Sequence, residues 1–166
     1  MILYGQSIGG AVAIDLASKN PTSIAALILE NTFTSLPNLV PHALPFLGPV
    51  SFLCHQKWES INKIPLIPAT TPILMLSGME DEIVPKEHMR ALWDAVVARK
   101  GGKGEGNSLK VGGVERAKFM EFEKGGHSKC FVSTNTLFLT VAQMIRASSL
   151  DIGLRSLSSL RALVTR

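Results

Sequence analysis

Two six-residue runs constrain this chain more than any other feature: IAALIL at residues 24–29 and TPILML at residues 71–76. Neither alternates apolar with polar residues, so each reads as a strand covered on both faces. Residues 1–4 form a shorter β-compatible run that stops at Gly5, and residues 119–122 form another that stops before Gly125-Gly126. Between the runs the spacing turns helical. Gly9-Gly10-Ala11-Val12-Ala13 opens a small-residue helix, continued by Ile14, Leu16 and Ala17 and ended by Asn20-Pro21. Pro85 suits a first helical position, with Met89, Leu92, Trp93 and Val96 following at helical spacing. Leu137, Phe138, Val141, Met144 and Ile145 predict a last helix. Strands alternating with helices predict an α/β fold, a parallel sheet flanked by helices.

The chain has 166 residues, 46% hydrophobic and 18% charged. That is enough apolar material for one core without staples, and it excludes disorder as the dominant state. Cys54 and Cys130 are too few and too far apart for a disulfide scaffold and read as free or buried thiols. The net charge is +4, and residues 99–118 alone, with six basic and two acidic side chains, account for all of it. The rest is neutral, which argues against a nucleic-acid partner. This basic insert also holds six glycines between Gly101 and Gly113, so its composition predicts a flexible, solvated loop.

No secretory signal is expected, since Met1 runs into Ile-Leu-Tyr and a glycine turn without a basic leader. Residues 31–56 carry no Asp, Glu, Lys or Arg, yet Pro37, Pro41, Pro45 and Pro49 interrupt them every fourth residue. Lipid would leave the backbone freed by those prolines unsatisfied. The segment reads as a proline-rich apolar cap, residues 31–70, rather than a membrane span. Residues 1–147 then form one domain, and residues 148–166 an amphipathic or frayed terminal helix.

The chemistry centres on Gly5-Gln6-Ser7-Ile8-Gly9. A hydroxyl on a sharp strand-to-helix turn needs small neighbours, because the backbone there is strained and other segments pass close. Ser7 is the candidate nucleophile, and the backbone N–H of Ile8, at the positive end of the following helix, a candidate oxyanion donor. Four histidines compete as its base. His42 and His55 lie in the cap and His88 in the helix after Pro85, whereas His127 follows Gly125-Gly126 just past a strand. Loops at strand carboxyl ends carry reacting groups in parallel-sheet enzymes, which favours His127. For the acid that orients it, Glu80, Asp81 and Glu82 follow another strand end, and Glu30 follows the run at 24–29. Other chemistries find no footing. Gly102-Lys103-Gly104 lacks the Ser/Thr of a phosphate loop, and no spacing suits a metal, so neither cofactor nor metal is expected.

Four stretches carry a specific resemblance: LYGQSIGGAVAIDLA from Leu3, ALILENTFTSLPNL from Ala26, PILMLSGMEDEIVP from Pro72 and EFEKGGHSKC from Glu121. Together they resemble the C-terminal half of α/β-hydrolase-fold serine hydrolases, in particular the bud-emergence-type branch of membrane-associated α/β-hydrolase-domain proteins. In that family the acid sits in a G-x-x-D-x-x-V-P turn, which here implies Asp81 with Gly78, Val84 and Pro85. The implied triad is Ser7, Asp81 and His127. The implied activity is hydrolysis of esters or thioesters, including depalmitoylation of acylated proteins. Leu36, Leu39, Leu44 and Phe46 of the cap are then expected to meet an acyl chain. A serine aminopeptidase-like hydrolase and a non-catalytic half-domain are the alternatives. Family members carry four strands ahead of the nucleophile strand, a second oxyanion donor and, in this branch, an N-terminal membrane anchor, so the resemblance implies a half-domain with a membrane-associated parent.

Overall fold

In the computed structural model, which describes residues 1–43, 57–99, 103–111 and 114–127, the apolar runs lie side by side in one sheet. Its strands are β1 (Ile2–Gln6), β2 (Ala26–Glu30), β3 (Ile73–Gly78), β4 (Lys103–Glu105), β5 (Ser108–Val111) and β6 (Val114–Phe122). They run in the order β1-β2-β3-β6-β5-β4. The pairs β1–β2, β2–β3 and β3–β6 are parallel, while β4 and β5 form an antiparallel extension on β6. Every residue of β2 and β3 is buried, as two unbroken apolar runs require. Pro72 just precedes β3 and has no N–H to offer, but its carbonyl accepts the Leu27 N–H at 2.9 Å and extends the ladder.

Helices α1 (Ile8–Lys19), α2 (Leu36–Ala43), α3 (Ser60–Lys63) and α4 (Lys86–Val97) pack around it, with a 3-10 turn at Ile64–Leu66. Ile14 and Ala17 of α1 meet Leu27, Leu29, Ile73 and Met75 of the sheet in one apolar cluster. Met89, Leu92 and Val96 of α4 complete it, spaced as the sequence predicted, and Trp93 stacks on Phe119 at 5.7 Å. Pro85 stands one residue outside α4, at its N-cap, rather than in its first turn. Asp15 accepts from Lys63 at 2.6 Å and Lys19 at 2.9 Å, tying α1 to α3, and these ammonium groups hold its carboxyl below the usual range.

The basic insert departs from expectation. Residues 103–105 and 108–111 are strands of the sheet, turned by Gly106 at φ +55°, rather than a flexible loop. Leu109 supplies the reason: it reaches the core, so the insert has an apolar anchor that a count of glycines and lysines hides. Arg99 is not part of a solvated face either. It is 2% exposed and donates to the carbonyls of Val96, Pro68 and Thr71, and burial pulls its guanidinium down to about 10. The last predicted helix, the terminal tail, Cys54, His55 and Cys130 lie outside the described residues.

Candidate active site

The four parallel strands end on the same edge of the sheet, and each is followed by a polar residue: Ser7 after β1, Asn31 after β2, Asp81 after β3 and His127 after β6. Sheet topology alone therefore gathers residues 7, 31, 81 and 127 from across the sequence.

Ser7 has φ +51° and ψ −123°, a backbone conformation strained for any residue but glycine. Its neighbours hold it there. The Ser7 N–H donates to the Glu30 carbonyl at 3.0 Å, and its carbonyl accepts from Gly10 N–H at 3.0 Å and Thr32 Oγ1 at 2.7 Å. The close approach expected around the pentapeptide is real at Gly5, but its second site is Gly10 rather than Gly9. A Cβ at Gly5 would lie 2.3 Å from the Gly9 carbonyl oxygen, and one at Gly10 2.6 Å from Thr32, while one at Gly9 would meet open space. Ile8 opens α1, so its N–H has no acceptor within the helix.

Asp81 is the acid that the structure brings to His127. His127 Nδ1 lies 2.8 Å from one carboxylate oxygen and 3.0 Å from the other. The N–H groups of Ile83 and Val84 both donate to Asp81 Oδ1 at 2.8 Å, and the side chain is 1% exposed, so the carboxylate has one orientation. With Nδ1 facing a carboxylate, the imidazole proton is held there and Nε2 is left as the basic nitrogen. The two loops are pressed together by glycines. A Cβ on Gly78 would lie 2.2 Å from the Gly125 carbonyl oxygen, which accepts the Glu80 N–H at 3.0 Å.

The competing residues are placed elsewhere. Glu30 accepts a hydrogen bond from the Tyr4 hydroxyl, and Glu80 and Glu82 are exposed. His88 is buried, its Nδ1 2.9 Å from Thr34 Oγ1, and its ring meets that of His42 edge-on at 6.1 Å. A cleft of about 660 Å³ between α2 and α4 is lined by these two histidines and contains none of Ser7, Asp81 or His127. Of the four cap residues expected against a substrate, Leu39 is buried with Ala11, Phe33 and Val84, and Leu36 packs against that cluster. Leu44 and Phe46 lie outside the described residues. Among the described residues no group of three or more metal-ligating side chains forms.

The fold has counterparts among solved proteins. A puromycin-hydrolysing peptidase of Mycobacterium tuberculosis superposes on 98% of the chain with TM-score 0.58 at 14% identity, the chain covering 21% of it. A monoacylglycerol lipase of Paleococcus ferrophilus superposes on 89% of the chain with TM-score 0.51 at 17% identity, and 68% of it is covered. The chain has an α/β-hydrolase fold.

Sequence relatives agree with that fold. The bem46 protein of Schizosaccharomyces pombe is 49% identical over 94 residues, 56% of this chain and 31% of that protein. The α/β-hydrolase domain-containing protein WAV2 of Arabidopsis thaliana is 32% identical over 150 residues, 83% of this chain and 44% of that protein. A Saccharomyces cerevisiae relative described as an uncharacterized membrane protein is 44% identical over 94 residues, 57% of the chain and 33% of that protein. No protein-family model matches the chain. The chain is thus a homologue of these proteins and spans 31–44% of their length. Among the described residues no helix is long and apolar enough to cross a membrane.

Sequence reasoning missed three residues of this candidate site: Gln6, Asn31 and Thr32. Asn31 has φ +43°, and its side chain is used completely. Its Oδ1 accepts the Gly78 N–H at 2.8 Å, and its Nδ2 donates to the carbonyls of Gly126 and His127, each at 3.0 Å. Gln6 Nε2 donates to the same His127 carbonyl at 2.8 Å. The signal in the sequence was an Asn just past a buried strand, a residue that tolerates positive φ and carries both a donor and an acceptor.

Proposed function

We infer that this α/β-hydrolase is a serine hydrolase that cleaves esters or thioesters through an acyl-enzyme on Ser7. The reading is carried by the buried Asp81 carboxylate gripping His127 Nδ1, on a loop whose carbonyl is tied to Gln6 of the strained Ser7 turn. In this reading His127 Nε2 takes the Ser7 hydroxyl proton as Oγ bonds to the acyl carbon. The negative charge on the carbonyl oxygen falls to the Ile8 N–H, with the α1 terminus behind it. Collapse breaks the acyl–oxygen or acyl–sulfur bond, and His127 returns the proton to the departing alcohol or thiol. Water then repeats the cycle in reverse and frees the acid. The steps need no cofactor.

For the substrate, the apolar cap around Leu36, Leu44 and Phe46 supports a hydrophobic acyl chain, with Leu39 holding α2 to Ala11, Phe33 and Val84. Lipid esters and acylated proteins both fit, and the membrane-protein name of one relative supports an encounter at a membrane.

Site-directed variants of the intact protein test the assignment. Asp81→Asn should lower turnover of a short-chain thioester by on the order of 10⁴, because the imidazole loses its tautomer lock. Glu80→Gln and Glu82→Gln should cost little. A crippled Glu30→Gln variant beside an active Asp81→Asn variant would overturn the triad.

A further inference from the structure

We propose that Asn31 and Gln6 are positioning residues for His127, a pair of amides that aims the imidazole by holding its own backbone carbonyl. The proposal rests on the reading of His127 as the base. Asp81 can lock only the Nδ1 end of the ring; the other constraint on a ring is where its backbone sits. Two amide donors converge on the His127 carbonyl, from Asn31 at 3.0 Å and from Gln6 at 2.8 Å. The second Asn31 donor takes the preceding carbonyl, of Gly126, at 3.0 Å. These are long-range contacts, 121 residues apart in the case of Gln6 and 95–96 in the case of Asn31.

The Asn31 amide has only one consistent orientation. The Gly78 N–H can be met only by an oxygen, so Oδ1 faces β3 and the NH₂ faces the two loop carbonyls. Asn31 N–H in turn donates to the Leu76 carbonyl at 3.1 Å. The residue thereby fixes the Gly78 end of the acid's loop and the His127 loop to one point. Gln6 adds the Ser7 turn to the same carbonyl. An aspartate at position 31 would keep the Gly78 bond and the positive φ but set a carboxylate oxygen against two carbonyl oxygens.

The experiment uses Asn31→Asp, Asn31→Gly, which accepts positive φ without the side chain, and Gln6→Met. One readout is the NMR resonance of the His127 Nδ1 proton and its exchange rate with water in the 166-residue chain. The other is the kinetics of a fluorophosphonate probe on the intact protein. Exchange should quicken by about tenfold in both Asn31 variants and by less in Gln6→Met. The saturating labelling rate should fall by a similar factor while the half-saturating probe concentration holds, a split that general loosening would not give. An Nδ1 resonance absent from the unsubstituted chain, or unchanged in Asn31→Asp and Asn31→Gly, overturns the positioning role. So does faster exchange with an unchanged labelling rate at Ser7. If the unsubstituted protein is not labelled at Ser7, the hydrolase reading falls, and the exchange measurement alone decides whether the amides aim the ring.

Discussion

At the scale of single residues, environment separates His127 from His42 and His88, and Asp81 from Glu30, Glu80 and Glu82. Asp81 differs from Glu80 and Glu82 in accepting two backbone N–H groups in its own turn, which buries its carboxylate and points it at His127. The structure also settles His88. Burial, and the neighbouring His42, push its imidazole below the ordinary value of 6.5, with Glu87 opposing. The folded chain therefore keeps His88 neutral where the unfolded chain takes up a proton. Stability should fall as the pH drops from about 6.5 through the lowered value, by at most about 1.4 kcal/mol per pH unit. His88→Gln should flatten that stretch of the profile in urea titrations at pH 7, 6 and 5. An unchanged slope would mean the imidazole is not the group that senses acid.

At the scale of elements, glycines decide how closely the strands and loops of the site meet, and the motif alone marks Gly5 correctly but not Gly9. The sequence pattern draws attention to Gly5 and Gly9, but Gly9 has open space around its missing side chain while Gly10 and Gly78 do not. Gly9→Ala should stabilise the protein by up to about 1 kcal/mol, since it removes a glycine from a helix without a clash. Gly78→Ala should destabilise by about 1–3 kcal/mol and part Asp81 from His127, because the obstructing atom is backbone and cannot rotate away. Chemical denaturation of the two variants checks both signs. The strands at 24–29 and 71–76 were legible because continuous apolar runs can only be covered on both faces. The short strands β4 and β5 were not, because one buried residue, Leu109, outweighs a composition of glycine and lysine.

At the scale of the whole molecule, strand order turns a scattered set of residues into a site. The α/β class, the strand ends and the residues after them could be read from periodicity, and the resemblance singled out Asp81. The amides of Gln6 and Asn31 could not be read, since their value depends on which loops the sheet brings within reach. One face of α1 carries Ile8, Val12 and Leu16, 53%, 44% and 40% exposed, beside β1 at the end of the sheet order. The chain spans 31–44% of the length of three relatives. The direct measurement is fluorophosphonate labelling followed by peptide mass spectrometry. One adduct is expected, on Ser7, lost in Ser7→Ala and slowed in His127→Ala. An adduct on another residue, or labelling of Ser7→Ala at the unsubstituted rate, would contradict it.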